Sequence, residues 1–450
     1  MNPARLLLVC LLVSNPGWGS ETTAPSVESA ELTPVGAQRS GNENGTIPSW
    51  TGGLTTPPQS FVAGRAETDP FPEDEVLFQI NAANAEQYGD RLTPGQLALL
   101  ALYPDTWHLN VYQSRRSASF PDFVYEAIAA NSKSAQLVLE GNGGVLDTTV
   151  SSPFPNPTMG VEVVWNHNLR FRAIRVIRME GSAAVTQAGR YTVVLAEQDW
   201  GFPYAKPGPS PFKERHPNVL LAVKSKILAP SLLSGDGTLI FETINQTDDP
   251  RKTWIYPRSA RRVIRSPLFG YGIPSNNTDA LRTIDDFGLY NGPPDRYDWK
   301  LIGKQELYVP YNSYGLHGPR VGHADIVRAG HINPDHARYE LHRVWVVEGT
   351  LKQGARHVYS KRVFYVDEDS WQITVADSYD LEGKLWRVNE AHAINYYTVP
   401  VWWSTLEVFH DLRQRRVLVN GLDNRHQPYE FRQSGDPREF SPNALIYYLR

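Results

Sequence analysis

Five histidines crowd one stretch of the chain: His317, His323, His331, His336 and His342 fall within 26 residues, out of 12 in all. Asp325, Asp335 and Glu340 lie among them, and imidazole with carboxylate is a donor set suited to zinc or iron. The intervals of six, eight, five and six residues follow no metal-binding pattern. Loop histidines more often bond backbone carbonyls or face solvent, so no metal site is assigned. Asp367, Glu368 and Asp369 offer oxygen ligands for calcium, but an acidic hairpin turn is the commoner source of such a run. Asp285 and Asp286 could serve hydrolysis as a carboxylate pair, yet adjacent acids at a helix start are usually caps and dipole partners. The chain has no His-Glu-x-x-His, no Walker loop and no Gly-x-Ser-x-Gly elbow, and Gly270-Tyr271-Gly272 lacks the third glycine of a dinucleotide loop. No catalytic residue and no cofactor is assigned, and an enzyme is not expected.

Basic residues carry more information. Arg251, Lys252, Arg258, Arg261, Arg262 and Arg265 follow one another without an acid, and Arg170, Arg172, Arg175 and Arg178 form a second group. Arginine forks suit phosphate and carboxylate groups. Trp254, Tyr256, Val263 and Ile264 alternate with the first group and could line an apolar lumen, leaving a basic mouth for an amphiphile with an anionic head. A solvated outer face is the other reading of the same arginines.

The elements that would position these residues change character along the chain. Arg5 followed by Leu6 to Val13 and then Gly17 and Gly19 reads as a secretory signal over residues 1–19. Cys10 is the only cysteine and falls inside it, so the secreted chain would have neither a disulfide framework nor a Cys-based zinc site. Residues 20–75 are rich in Gly, Pro, Ser, Thr and Asn and read as an extended strap anchored by Ile47 and Trp50. Residues 76–150 are helical, with Thr93-Pro94 opening one helix and a second over 121–131. From 151 to 450 the pattern is strands, at 161–180, 190–199, 219–228, 237–246, 252–257, 261–265, 341–351, 357–367, 371–376, 384–398 and 405–410. Short links such as Ser234-Gly235-Asp236-Gly237 imply antiparallel meanders. Longer inserts fall at 200–217 and 266–303, the second with a short helix near Asp279 to Phe287; the 200–217 loop and the 266–290 segment are the candidate lid elements, and Ser441-Pro442 begins a last helix.

Composition agrees with a β-rich globular chain. Its 450 residues include 12 Trp and 22 Tyr, 20% are charged, and the net charge of −4 argues against a dedicated nucleic-acid binder. No segment after the leader offers the ~18 uninterrupted apolar residues of a membrane span.

Three long stretches, IDDFGLYNGPPDRYDWKLIGKQELYVPYN (284–312), RYELHRVWVVEGTLKQGARHVYSKRVFYVDEDSW (338–371) and DSYDLEGKLWRVNE (377–390), resemble the proteobacterial domain-of-unknown-function family numbered 1329. LTPVGAQRSGNENGTIPSWTGG (32–53) and LTPGQLALLALYP (92–104) belong to the same pattern. TWIYPRSARRVIRSP (253–267) also resembles a strand–turn–strand of periplasmic lipoprotein-sorting carriers, which are about half as long and lack the strap, the helices before 150 and the 266–303 insert.

The resemblance implies a mainly β fold: a strongly curved antiparallel sheet, a half-barrel closed by helices, with the strap outside it. It also implies a periplasmic protein encoded near exporters of the resistance-nodulation-division type and outer-membrane proteins. The expected function is a carrier or transport-accessory protein for a lipid-like or hydrophobic ligand, with an inner-membrane exporter and an outer-membrane protein as partners. The expected cavity and rim are Trp254, Tyr256, Arg258, Arg261, Arg262, Trp345, Phe364, Trp371 and Trp386. A non-carrier interaction subunit linking an exporter to an outer-membrane partner is the alternative, and a secreted metal-dependent hydrolase a third.

Overall fold

The computed structural model describes residues 31–266 and 271–450. The leader at 1–19, Cys10 and the first part of the strap lie outside the described residues.

The strap runs to a short strand, β1 (Phe78–Ile80), and is pinned by backbone and side-chain bonds rather than by regular structure. Trp371 Nε1 donates to Val35 O at 3.1 Å, Arg343 reaches Gln38 O and Ser40 O, and Leu54 N donates to Ser117 O at 2.8 Å. Helix α1 (Pro94–Leu102) starts where Thr93 and Gln96 cap each other's backbone N–H, with Pro94 in the first turn. Strand β2 (Leu109–Val111), helix α2 (Asp122–Ser134), the pair β3 (Gln136–Leu137) and β4 (Val145–Leu146), and helix α3 (Gly160–Leu169) complete the first third.

Residues 161–169 are therefore helical where the sequence predicts strand. Glu162 accepts from the N–H groups of Thr158 and Met159, and that cap opens α3. The helix is buried on every side, which overrides the strand preference of its valines.

Two meanders follow. The first is β5 (Arg175–Val185), β6 (Val193–Gly201), β7 (Val219–Ala229), β8 (Gly237–Thr243), β9 (Lys252–Tyr256) and β10 (Ile264–Ser266), with helix α4 (Pro211–Arg215) between β6 and β7. The second is β11 (Tyr297–Pro310), β12 (Tyr339–Leu351), β13 (Lys361–Asp367), β14 (Ile373–Tyr379), β15 (Leu385–Tyr396), β16 (Val401–Asp411) and β17 (Arg416–Leu422). Helix α5 (His323–Ile326) lies between β11 and β12, and β18 (Glu430–Arg432) and helix α6 (Pro442–Tyr448) end the chain. Strands β11 and β17 are absent from the sequence reading, and the 279–287 helix is instead a 3₁₀ segment, Ile284–Leu289.

Strand β17 returns to pair with β5, from Val417↔Val185 to Leu422↔Gly181, so the two meanders make one open sheet. Its pairings are antiparallel apart from the single parallel bridge Tyr339↔Val111. Register shifts at Leu195/Ala196, Val219/Leu221, His392/Ala393 and Asn420/Leu422 mark bulges, which bend and twist the strands that carry them. The result is a strongly curved antiparallel sheet, a half-barrel closed by helices.

The two halves differ in what covers them. Across β12–β17 the chain buries Val344, Val375, Val388, Ile394, Leu406 and Val408 in one cluster with residues of α1, α2 and the strap, and these strands are buried almost throughout, so that half is solid. On the β7–β9 side, α4 and α6 cover one face with Phe212, Phe440 and Leu445 against Leu239 and Phe241. The other face of β5–β9 is open. No helix among the described residues is long and apolar enough to cross a membrane.

Candidate functional site

The open face is the wall of a cleft of about 350 Å³. Because successive side chains alternate across a sheet, one set of residues per strand faces it: Val194, Ala196, Gln198 and Trp200 on β6; Leu221, Val223, Ser225 and Ile227 on β7; Thr238, Ile240 and Glu242 on β8. Thr253 and Ile255 continue the set on β9, with Arg251 just before that strand. Register sorts them into rows. Trp200, Val223, Ile240 and Thr253 lie side by side, as do Gln198, Ser225, Thr238 and Ile255. The first row is mainly apolar and the second mainly polar.

The insert after β10 forms the roof, with Arg282, Ile284, Phe287 and Asn291 turned to the cleft. It folds back on itself through Ile284 N to Ile273 O at 3.0 Å and Ser275 N to Arg282 O at 2.9 Å. Phe287 stacks on Trp200 with ring centroids 5.1 Å apart, so roof and wall touch through aromatic rings. The base of the roof is held by charge. Arg362 of β13, fully buried, donates to Asp285 Oδ2 at 2.8 Å and Asp286 Oδ1 at 2.6 Å, while His357 and Tyr359 bond the same two carboxylates. Burial alone would raise the Asp285 carboxyl; Arg362 and His357 more than offset this and hold it below the usual carboxylate range.

Inside the cleft the polar groups are unevenly paired. Gln198 donates to Glu180 and accepts from Arg178 Nε at 2.9 Å, and Arg178 is also ion-paired with Glu180 and set over Trp200, Trp403 and Tyr429. Glu242 Oε1 lies 3.0 Å from Arg251 Nε and accepts from Asn291 Nδ2 at 3.1 Å. Burial raises the Glu242 pKa, and Arg251 opposes it. Several buried atoms here have no partner: Glu242 Oε2, Arg251 Nη1, Thr253 Oγ1, and Nε and Nη1 of Arg282. None of the lining residues, among those described, is a histidine, cysteine or lysine.

Of the residues expected from sequence to form the cavity and rim, Tyr256, the last residue of β9, borders the cleft and also packs against the core that α6 covers. Trp254 is on the opposite face of β9, its ring 5.6 Å from Phe241 in the core that α6 covers. Alternation explains the exchange: Thr253 and Ile255 face the cleft, so the residue between them cannot. Arg258, Arg261 and Arg262 are exposed in the turn after β9, where Arg258 N donates to Asp236 Oδ1 and its guanidinium to Ser234 O. Trp345, Phe364 and Trp371 belong to a separate core with Val163 and Val164 of α3, which fills that part of the half-barrel. Trp386 lies between the guanidiniums of Arg387 and Arg413 and donates to Asp411.

Sequence reasoning missed Trp200, Glu242, Arg282, Phe287 and Asn291, and it reached Arg251 only as part of the basic run. The alternating run Arg251-x-Thr253-x-Ile255 was a legible signal for the wall. The segment that forms the roof was legible as a lid candidate, but its individual cleft residues were not, because their placement depends on the Arg362 anchor about 75 residues downstream.

The histidine run is dispersed. His317 bonds Asp423 at 2.5 Å and is pushed up to about 10 despite burial, since the Asp423 carboxylate, with Glu67 behind it, favours the imidazolium. His331 bonds Ile332 O and Thr106. His342 stands with Asp367 and Asp369, and one ligand atom from each of the three lies within 4.8 Å of the others, close enough to hold a metal ion. Those acids already have partners: Arg116 forks onto Asp369 at 2.7 and 2.8 Å, and Ser370 donates to Asp367. Burial, with the Asp369 charge, pushes the Asp367 carboxyl up to about 7.

Among known proteins, the chain is 45% identical over 415 residues to the uncharacterised protein PA3922 of Pseudomonas aeruginosa, covering 92% of this chain and 90% of that one. A crystal structure of a DUF1329 family protein from Desulfovibrio piger matches 61% of this chain and 92% of its own, at 14% identity and a TM-score of 0.41. The LolA superfamily protein NE2245 from Nitrosomonas europaea matches 64% of this chain and all of its own, at 13% identity and a TM-score of 0.36. The family profile described as protein of unknown function, DUF1329, matches residues 79–446, and the chain belongs to that family.

Proposed function

We propose that the protein is a periplasmic carrier or transport-accessory protein that shelters a lipid-like or hydrophobic ligand in the β5–β9 cleft. The observation that supports this most is the contrast within one sheet: the β12–β17 half is packed solid, whereas the β5–β9 half keeps an apolar wall under a separate roof. A cleft of about 350 Å³ is near the lower end of the ~300–1,000 Å³ range of small-molecule sites, and suits one chain or one small polycycle. Each methylene sheltered there contributes about 0.8 kcal/mol. The leader read at 1–19 would deliver the chain to the periplasm, and an inner-membrane exporter and an outer-membrane protein are the proposed partners. Organic extraction of periplasmically purified protein, followed by mass spectrometry, tests the reading. A stoichiometric hydrophobic species is expected; protein that is empty and takes up no apolar probe would refute it.

A second reading, an interaction subunit that carries nothing, draws on the β7–β8 turn. Leu232 there is 89% exposed, beside the basic turn at 258–262. Crosslinking in cells would capture an envelope partner through that turn under this reading.

A further inference from the structure

Resting on the carrier reading, we propose that the cleft selects an anionic amphiphile: one apolar chain against the β6–β8 wall and a carboxylate or phosphate head on Arg282, assisted by Arg251 and Thr253. Arg282 is the residue that sets this apart from a plain apolar pocket. It hangs from the roof and bonds Ser275 Oγ through Nη2 at 3.3 Å, while Nε and Nη1 are buried without partners. Its guanidinium stands 5.5 Å from the Phe287 ring and 5.4 Å from the Phe409 ring. No carboxylate oxygen forms an ion pair with it within 4.0 Å among the described residues.

None of the neighbouring carboxylates reaches hydrogen-bond distance of it among the described residues. Glu180 is engaged by Arg178 and Gln198, Glu242 by Arg251 and Asn291, and Glu407 by Ser404 and the Gly288 N–H. Burial lowers the Arg282 pKa from the usual arginine value, with Glu407, Glu180 and Asp286 acting the other way at longer range. A desolvated guanidinium with unpaired N–H groups at Nε and Nη1 is costly to leave so, and an anionic head placed on one edge of it supplies a charged acceptor. Arg251 Nη1 and Thr253 Oγ1 line the same cleft from the opposite wall, also without partners. Val194, Ala196, Val223, Ile227 and Ile240 then receive the chain.

The experiment measures displacement of the neutral probe N-phenyl-1-naphthylamine from delipidated protein by palmitate, hexadecyl phosphate and hexadecanol, which share one chain length. At least one anion is expected to compete roughly tenfold to a hundredfold better than hexadecanol, the margin of a charge-assisted hydrogen bond, and which one does identifies the head. In Arg282→Met and Arg282→Gln that ratio should fall towards one, and in Arg251→Gln it should fall part of the way. Circular dichroism melting confirms which variants are folded. Equal competition by hexadecanol and both anions, or an unchanged ratio in a folded Arg282 variant, overturns the headgroup assignment and leaves the carrier reading standing. Failure of the naphthylamine itself to bind overturns the carrier reading, and this inference with it.

Discussion

Arginine does different work at three buried positions. Arg362 is matched by two carboxylates, Arg178 by one carboxylate and three aromatic faces, and Arg282 by two aromatic faces and the Ser275 hydroxyl. Of the three, Arg282 lines the cleft with unpaired N–H groups. Buried acids in the solid half behave in the opposite way. Glu390, fully buried on β15 and bonded by the Tyr339 hydroxyl, is pushed up to about 7 by desolvation. Because its folded pKa lies above its unfolded value near 4.5, the folded state binds the proton more tightly. Its contribution to stability is present below pH 4.5 and is lost as pH rises through about 7. Glu390→Gln should therefore gain on the wild type between pH 5 and pH 8 by about 1–3 kcal/mol, read as the change in urea midpoint at the two values. An identical pH dependence in both proteins would show that Glu390 titrates normally.

At the scale of elements, the roof and its anchor are the parts on which the cleft depends. Arg362→Met leaves Asp285 and Asp286 buried without the guanidinium that bridges them, and should cost about 3–5 kcal/mol, the range for breaking a buried pair from one side. Hydrogen exchange should quicken first in residues 271–291, whereas loss of protection spread evenly over the sheet would mean that Arg362 supports the core and not the roof.

Alternation made β9 legible, yet β11, exposed at Asp298, Lys300, Ile302 and Lys304, fell partly within the 266–303 insert and was not read as a strand. Strands buried on both faces, such as β14, were legible as strands, but burial hides which of their faces looks into a cavity. All of β16 is buried, so its side chains give no clue to which face is hollow. Helix α3 is the same failure in another element: burial on every side hides the helical period of its apolar residues. Trp254 and Tyr256 follow from alternation with the basic run, whereas Trp345, Phe364 and Trp371 follow from aromatic richness, which marks the filled half where they pack on α3.

For the whole molecule, the half-barrel and the family were readable from the sequence, but the division into a solid and a hollow half was not. That division depends on long-range cover. The strap reaches Trp371 and Arg343, and α1 reaches β14 through Gly95 N to Asp377 Oδ2, so both fall on the second meander and leave the first to the insert. The most direct test of the account uses the register of two strands in the hollow half. Ala196 on β6 faces the cleft and Trp254 on β9 faces away from it. Fluorescence titration with N-phenyl-1-naphthylamine should show binding to the wild type, binding retained in Trp254→Ala, and binding lowered at least tenfold in Ala196→Trp, whose indole fills the space. Undiminished binding in folded Ala196→Trp, or loss of binding in folded Trp254→Ala, would contradict the assignment of the β5–β9 face as the ligand site.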